Sequence, residues 1–301
     1  MKDLLEIAGI SKQAFHQMLK RSHYREEERQ QLLPLINEIR RDHPRMSARD
    51  MHIKLRPSTM GRDQFERFCF EAGYRVQRVK NYRKTTNSQG VTRFPNKIKD
   101  IKVTRVNQVF VSDITYFEIG YKFYYLTFIM DLFNREIVGW SASDNLRTEC
   151  TTLPALHRLI KERGRSNLKG AIIHSDGGGQ YYCNEFKTLT NSLEMVNSMT
   201  EEKVFENSHA ERLNGVIKNN YLYLYGPKDL FSLRKLLDRA VLMYNTGKPH
   251  KALGKLTPKS YLNKTTVNNE NNSLKSYFPL PTVHHIHHLN NQTINKKVNV
   301  I

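Results

Sequence analysis

No run of about 18 consecutive apolar residues occurs in the 301-residue sequence, so nothing in it has the make-up of a membrane-spanning helix. Cysteine is scarce. Cys69, Cys150 and Cys183 are far apart and odd in number, which suits neither a disulfide framework nor paired C-x-x-C zinc ligands. The opening residues, Met1-Lys2-Asp3-Leu4-Leu5-Glu6, lack the basic segment, long apolar run and small-residue cleavage site of a secretory signal. A soluble cytoplasmic protein with reduced thiols is the expectation. Negative charge is also short, with 29 Asp and Glu against 48 Lys and Arg, a net +19. That excess exceeds what solubility needs and calls for a polyanionic partner. Nucleic acid is the most economical one, because neutralised phosphates release counterions and give affinity independent of sequence.

What the chain does hold is an apolar run that delivers one aspartate onto a glycine-rich turn, Ala171-Ile172-Ile173-His174-Ser175-Asp176-Gly177-Gly178-Gly179-Gln180-Tyr181. Three apolar residues followed by small polar ones predict a short buried strand, and the glycines permit both the tight turn and close approach of a ligand. Asp176 is then aimed outward, as a working carboxylate or as a plain helix cap. His174, two residues earlier, shares its side of the strand and either orients that carboxylate or packs. Carboxylates at similar strand ends decide between these readings.

At 301 residues more than one folded unit is expected. Residues 1–84 predict a helical, DNA-binding region. Gly9 breaks a first helix and Ser11 caps a second over 12–21, the spacing of a helix-turn-helix whose Lys12, Lys20 and Arg21 would lie against DNA; a plain helical pair is the alternative. Further helices are predicted over 26–42, after Ser47, and from Ser58 or Thr59 to the Gly73 stop. A basic linker over 85–102 follows. The texture then changes to three strands of a meander near 107–117, 122–131 and 135–141, a helix over 148–163, and the Asp176 strand joining in parallel beside the first. A short strand at 195–197 and helices to 225 and over 232–244 complete a core ending at 262. Residues 263–301 are Asn-, Thr- and His-rich and predict a disordered tail, in which the tract His284-His285-Ile286-His287-His288 reads as compositional rather than metal-binding.

Asp113 in the first strand, Asp176 after the fourth and Glu211 at the start of a late helix are three carboxylates on separate elements that this topology can bring together. Crowded carboxylates repel unless a hard divalent cation joins them, so the set implies Mg²⁺ or Mn²⁺. Two such ions about 4 Å apart suit in-line displacement at a phosphodiester. Lys218 lies two helical turns beyond Glu211 and could meet a DNA phosphate, or be a solvated lysine; Asn207 and Asn214 flank the same face and could touch backbone oxygens. Asp131 is a turn residue or a fourth ligand.

These residues carry a resemblance. Asn107-Gln108-Val109-Phe110-Val111-Ser112-Asp113-Ile114-Thr115-Tyr116, Asp131-Leu132-Phe133-Asn134-Arg135-Glu136-Ile137-Val138-Gly139-Trp140, His174-Ser175-Asp176-Gly177-Gly178-Gly179-Gln180-Tyr181, Asn207-Ser208-His209-Ala210-Glu211, Tyr244-Asn245 and His250-Lys251-Ala252-Leu253 follow in order over 107–262. In this the chain resembles the OrfB-type transposases of the bacterial insertion sequence 3 family, integrase-core proteins of DDE type and relatives of retroviral integrases. The resemblance implies an α/β catalytic core of RNase H-like fold, a five-stranded mixed sheet with flanking helices, preceded by an all-α helix-turn-helix-like region. It implies Asp113, Asp176 and Glu211 as metal-binding catalytic residues with two Mg²⁺ or Mn²⁺ ions, and nicking and strand transfer at insertion-sequence ends. It further implies DNA partners (terminal inverted repeats and target), a homo-multimer on DNA, an upstream helix-turn-helix protein or fusion, and a nucleoid-associated location. A non-catalytic DNA-binding product of the same kind of element is the alternative. Phe110 stands where that family usually has Trp, Gly178-Gly179 replace a basic or Ser-containing turn, and 34 residues separate Asp176 from Glu211, one fewer than usual.

Overall fold

The computed structural model describes residues 5, 7, 9–76, 94–201 and 207–266. Residues 85–93 of the basic linker and 267–301 of the polar tail, with its histidine tract, therefore lie outside the described residues. The helical region comprises α1 (Lys12–Asp42), α2 (Ala48–Leu55) and α3 (Arg62–Glu71). Ser11 caps α1 as expected, its hydroxyl accepting from the Ala14 N–H. The predicted break between 21 and 26 is absent, and α1 runs unbroken for 31 residues. Ser22-His23-Tyr24-Arg25 contains no helix breaker, and His23–Glu27 and Glu26–Gln30 pairs one turn apart bridge it. Residues 12–21 are thus the exposed first third of a long helix rather than a separate recognition helix, and Lys12, Lys20 and Arg21 are solvent-exposed. Ser58 and Thr59 do not start α3 either. Their amides and hydroxyls all donate to the Glu28 carboxylate of α1, and Gly61 takes the cap position.

The sheet contains β1 (Val109–Ile119), β2 (Lys122–Asp131), β3 (Ile137–Ser143), β4 (Ile172–Ser175) and β5 (Val196–Met199) in the order 3-2-1-4-5. The first three form an antiparallel meander whose β1–β2 turn uses Gly120 at φ +61°. β4 then pairs β1 in parallel, Val111 opposite His174. The crossover between them is α4 (Thr152–Arg163), and α5 (Asn184–Ser192) connects β4 to β5. One face of the sheet is covered by α6 (Ser208–Ile217) and α7 (Leu230–Gly247), with Val111, Phe128, Met130, Ala210, Leu213, Leu237 and Tyr244 in one apolar cluster. The other face packs Phe110, Ile129, Val138 and Ile173 against Leu156 and Leu159 of α4 and Phe186 of α5. This is the five-stranded mixed sheet with flanking helices that the sequence led us to expect. The segment 94–102 is no free tether, since the Lys97 N–H donates to Ser198 Oγ of β5 at 2.8 Å.

The end of α1 docks on the sheet layer. The Tyr225 hydroxyl donates to the Asp42 carbonyl, Arg239 pairs with the Asp42 carboxylate at 2.7 Å, and the buried His43 ring faces the Tyr221 hydroxyl at 3.2 Å. Burial, reinforced by the Lys54 charge, pushes the His43 imidazole down to about 4 from 6.5. The unfolded chain takes up this proton near 6.5 and the folded one not until about 4. His43 therefore costs nothing above that window and removes stability as pH falls through it, by up to about 3 kcal/mol. Urea unfolding at pH 7 and pH 4.5 should show a smaller acid loss in His43→Gln than in wild type; equal losses would assign the acid sensitivity elsewhere.

Candidate active site

The parallel register sets the site. Val111 lies opposite His174, so extending the pairing by two residues brings Asp113 of β1 level with Asp176, one residue beyond β4. Both side chains are partly buried. Asp176 is held by its own turn, its Oδ1 accepting the Gly178 N–H at 3.1 Å. A Cβ on Gly178 would stand 3.0 Å from that oxygen, so the glycine leaves room for the carboxylate. Beneath the pair lies Tyr181, fully buried, its hydroxyl 2.9 Å from the Ser112 hydroxyl, which in turn donates to the Phe128 carbonyl. In the sequence, the signal of Tyr181 is an aromatic residue that closes an otherwise small, polar turn. His174 is buried, with Nδ1 2.8 Å from Ser198 Oγ of β5, and so joins neighbouring strands. Asp131 is a turn residue: its carboxylate accepts the Asn107 and Phe133 N–H groups.

Glu211 enters on the exposed side, in the first turn of α6. That helix is fastened along β1 at three points. Asn207 Nδ2 donates to the Ser112 carbonyl at 2.9 Å, Asn214 Nδ2 to Asp113 Oδ2 at 2.6 Å, and the Lys218 ammonium to Thr115 Oγ1 at 2.7 Å. All three residues were read from sequence as DNA contacts; in the fold their side chains turn inward to β1, and Asn207 and Asn214 are buried. Lys218 also opens a π-helical turn (Lys218–Leu222), an irregularity frequent at functional sites.

Electrostatics bind these groups together. Asp113 is pushed up to about 8, chiefly by burial and then by the Asp176 charge, with a smaller contribution from Glu211; the Ile114 N–H and Asn214 act the other way. Burial raises Asp176 as well, against the Gly178 N–H. Burial lowers the Lys218 ammonium, and the Asp113 charge partly restores it. Among the described residues, no three His, Cys, Asp or Glu side chains close into a metal-holding group. The structure thus brings Asp113 and Asp176 together and leaves Glu211 at the rim, close enough for its charge to be felt. The donor set nevertheless fits a hard divalent cation: oxygen-only ligands, two carboxylates at one level, and a charge repulsion that a cation would relieve.

Two family models, both described as integrase core domain, match residues 103–203 and 198–258. The uncharacterized 31 kDa protein of insertion element IS600 from Shigella sonnei is 27% identical over 212 residues, which are 68% of this chain and 76% of that protein. The transposase InsF for insertion sequence IS3A of Escherichia coli strain K12 is 25% identical over 55% of this chain and 57% of its own length, so the match spans little more than half of that relative. Among solved structures, the HTLV-2 integrase catalytic core domain in complex with magnesium (trimeric form) aligns over 52% of this chain and 95% of that one, with 22% identity and a TM-score of 0.42.

Proposed function

We infer that this chain, which belongs to the integrase-core, DDE-type transposases of the insertion sequence 3 family, is a DNA transposase that nicks insertion-sequence ends and transfers the freed strands to a target. The observation that carries this reading is the pair of carboxylates, Asp113 and Asp176, level on adjacent parallel strands, with α6 and its Glu211 fastened beside them through the Asn214–Asp113 bond. Asp113, Asp176 and Glu211 would hold divalent cations, which when bound activate an attacking oxygen and stabilise the leaving one.

The remaining work belongs to the chain. Burial of Asp113 and Asp176 supplies a low-dielectric floor in which ligand charge counts for more than in water. Asn214 fixes the orientation of the Asp113 carboxyl, and the Gly178 N–H that of Asp176. Tyr181 and Ser112 close the floor to water from below. Glu211, exposed on α6, completes the ligand set from the solvent side, where a DNA strand has access. The net +19 of the sequence supplies the attraction for both substrate duplexes. Recognition of terminal repeats by the helical region, assembly as a multimer and cooperation with an upstream product complete the proposal.

The test is joining of labelled terminal-repeat DNA to a target by the full chain with Mg²⁺ or Mn²⁺, with and without the upstream product. Metal-dependent joining that Asp176→Asn abolishes is the expected result. DNA binding with no joining under either condition would favour a non-catalytic product of the element and overturn the proposal.

A further inference from the structure

The connection between β2 and β3 holds a residue in a conformation that costs energy. Arg135 has φ +61°, in the left-handed region that a long side chain rarely adopts. One backbone bond and one side-chain bond span it: the Asp131 N–H donates to the Glu136 carbonyl, and the Asn134 side-chain amide to the Glu136 carboxylate. The following residue is fixed to α7, since Ile137 exchanges two hydrogen bonds with the Asn245 side chain, at 3.0 and 2.8 Å. Met130, Ile137, Ala210, Leu213 and Tyr244 share one apolar cluster, which draws the first turn of α6 and the end of α7 to this same connection. The Tyr244 ring lies edge-on to that of His250, centroids 4.7 Å apart.

The carboxylates at this connection are already engaged: Asp131 and Glu136 both face the Arg163 guanidinium, at 3.8 and 2.6 Å. Arg135 Nη1 and His250 Nε2 are both buried with no hydrogen-bond partner. Burial lowers the Arg135 guanidinium; Tyr244 opposes this, the Arg212 charge adds to the lowering, and Asp131 opposes it. The two Asp131 oxygens already accept backbone N–H groups. The positive end of α6 adds to the field, because the Asn207 side chain turns to β1 and leaves the first turn without a side-chain cap. A buried guanidinium nitrogen left without a partner on a strained backbone, with the Arg212 charge felt beside it, is set up for an anion with several acceptor oxygens.

We propose that Arg135, Arg212 and His250 form a phosphodiester-binding pocket that grips the DNA backbone beside the bond to be cut. It rests on the transposase reading and extends it: Arg212 adjoins Glu211 on α6, so a strand seated in the pocket continues toward Asp113 and Asp176. The planar Arg135 fork suits two phosphate oxygens.

The test separates binding from chemistry by using the Asp176→Asn chain as parent. Affinity for terminal-repeat duplex is measured against salt for the parent, for Arg135→Gln and for the exposed Arg212→Ala, with circular dichroism to verify folding. Each substitution should lower the slope of log affinity against log salt by about one, the signature of one lost phosphate contact. Arg135→Lys should keep the slope and still bind more weakly. Unchanged slopes in Arg212→Ala and Arg135→Gln overturn the pocket while leaving the transposase reading intact, and Arg212→Ala decides alone if Arg135→Gln does not fold. Inorganic phosphate that raises the parent's melting temperature, with DNA slopes unchanged, assigns the pocket to a free anion and overturns it too. A parent that binds no DNA overturns both readings.

Discussion

Asp113→Asn should abolish metal-dependent strand joining, by at least about 10³-fold, while making the metal-free protein more stable at pH 8. The first half follows from the proposed role of the carboxylate as a cation ligand. The second follows from its surroundings. Burial and the charges of Asp176 and Glu211 hold the folded-state carboxyl near 8, against 3.8 for the ordinary side chain. The unfolded chain thus loses this proton near 3.8 and the folded chain keeps it until about 8. Stability from this group is full below 3.8 and is lost as pH rises to 8, the reverse of the usual salt-bridged aspartate. Asparagine has no proton to lose and keeps an oxygen for the Asn214 amide, so the variant should gain about 1 kcal/mol or more at pH 8 and little at pH 4. Adding Mg²⁺ or Mn²⁺ should reverse the order, stabilising wild type by mass action and leaving the variant unmoved. Thermal unfolding at both pH values, with and without metal, checks this; metal that stabilises both proteins equally, or joining retained by the variant, would sink the assignment.

The candidate site was legible in the sequence only in part. Asp113, Asp176 and their strands could be read because the apolar runs around them have the period and length of strands, and because a parallel crossover leaves few ways to seat β4. The inward turn of Asn207, Asn214 and Lys218 could not. Helical spacing put them on one face, but which face meets β1 depends on Ala210, Leu213 and Ile217 finding the sheet. The length of α1 is hidden for a similar reason: 12–21 and 26–42 read as two helices, whereas i,i+4 pairs carry one helix through 22–25. Gly178 looks arbitrary along the chain, whereas in space a Cβ there would stand 3.0 Å from the Asp176 oxygen, which would have to shift slightly. Arg135 is silent in the sequence, because neither a positive φ nor an orphaned nitrogen has a sequence signature.

Gly139→Ala should be the most damaging single methyl group in the sheet layer. Gly139 lies in β3 opposite Ile129, where α4 crosses so closely that a Cβ would stand 2.3 Å from the Ala155 carbonyl oxygen and 3.0 Å from Ile129 Cδ1. The first contact is with helix backbone, so no rotamer change relieves it; α4 or the strand must move, and both carry the core residues Leu156, Leu159 and Val138. Overpacking of this kind costs about 3 kcal/mol, a fall in melting temperature of roughly 6–12 °C for a unit this large. Gly215→Ala is the matching control. It sits in α6, its Cβ would meet nothing nearer than Asn219 Nδ2 at 4.0 Å, and alanine there should stabilise by about 0.5–1 kcal/mol through helix propensity. The same methyl group thus has opposite sign at two sites, which side-by-side thermal melts would show. If Gly139→Ala melts with wild type, the closeness of β3 to α4 is not what holds the layers at their spacing, and the glycine in Ile137-Val138-Gly139-Trp140 needs another cause.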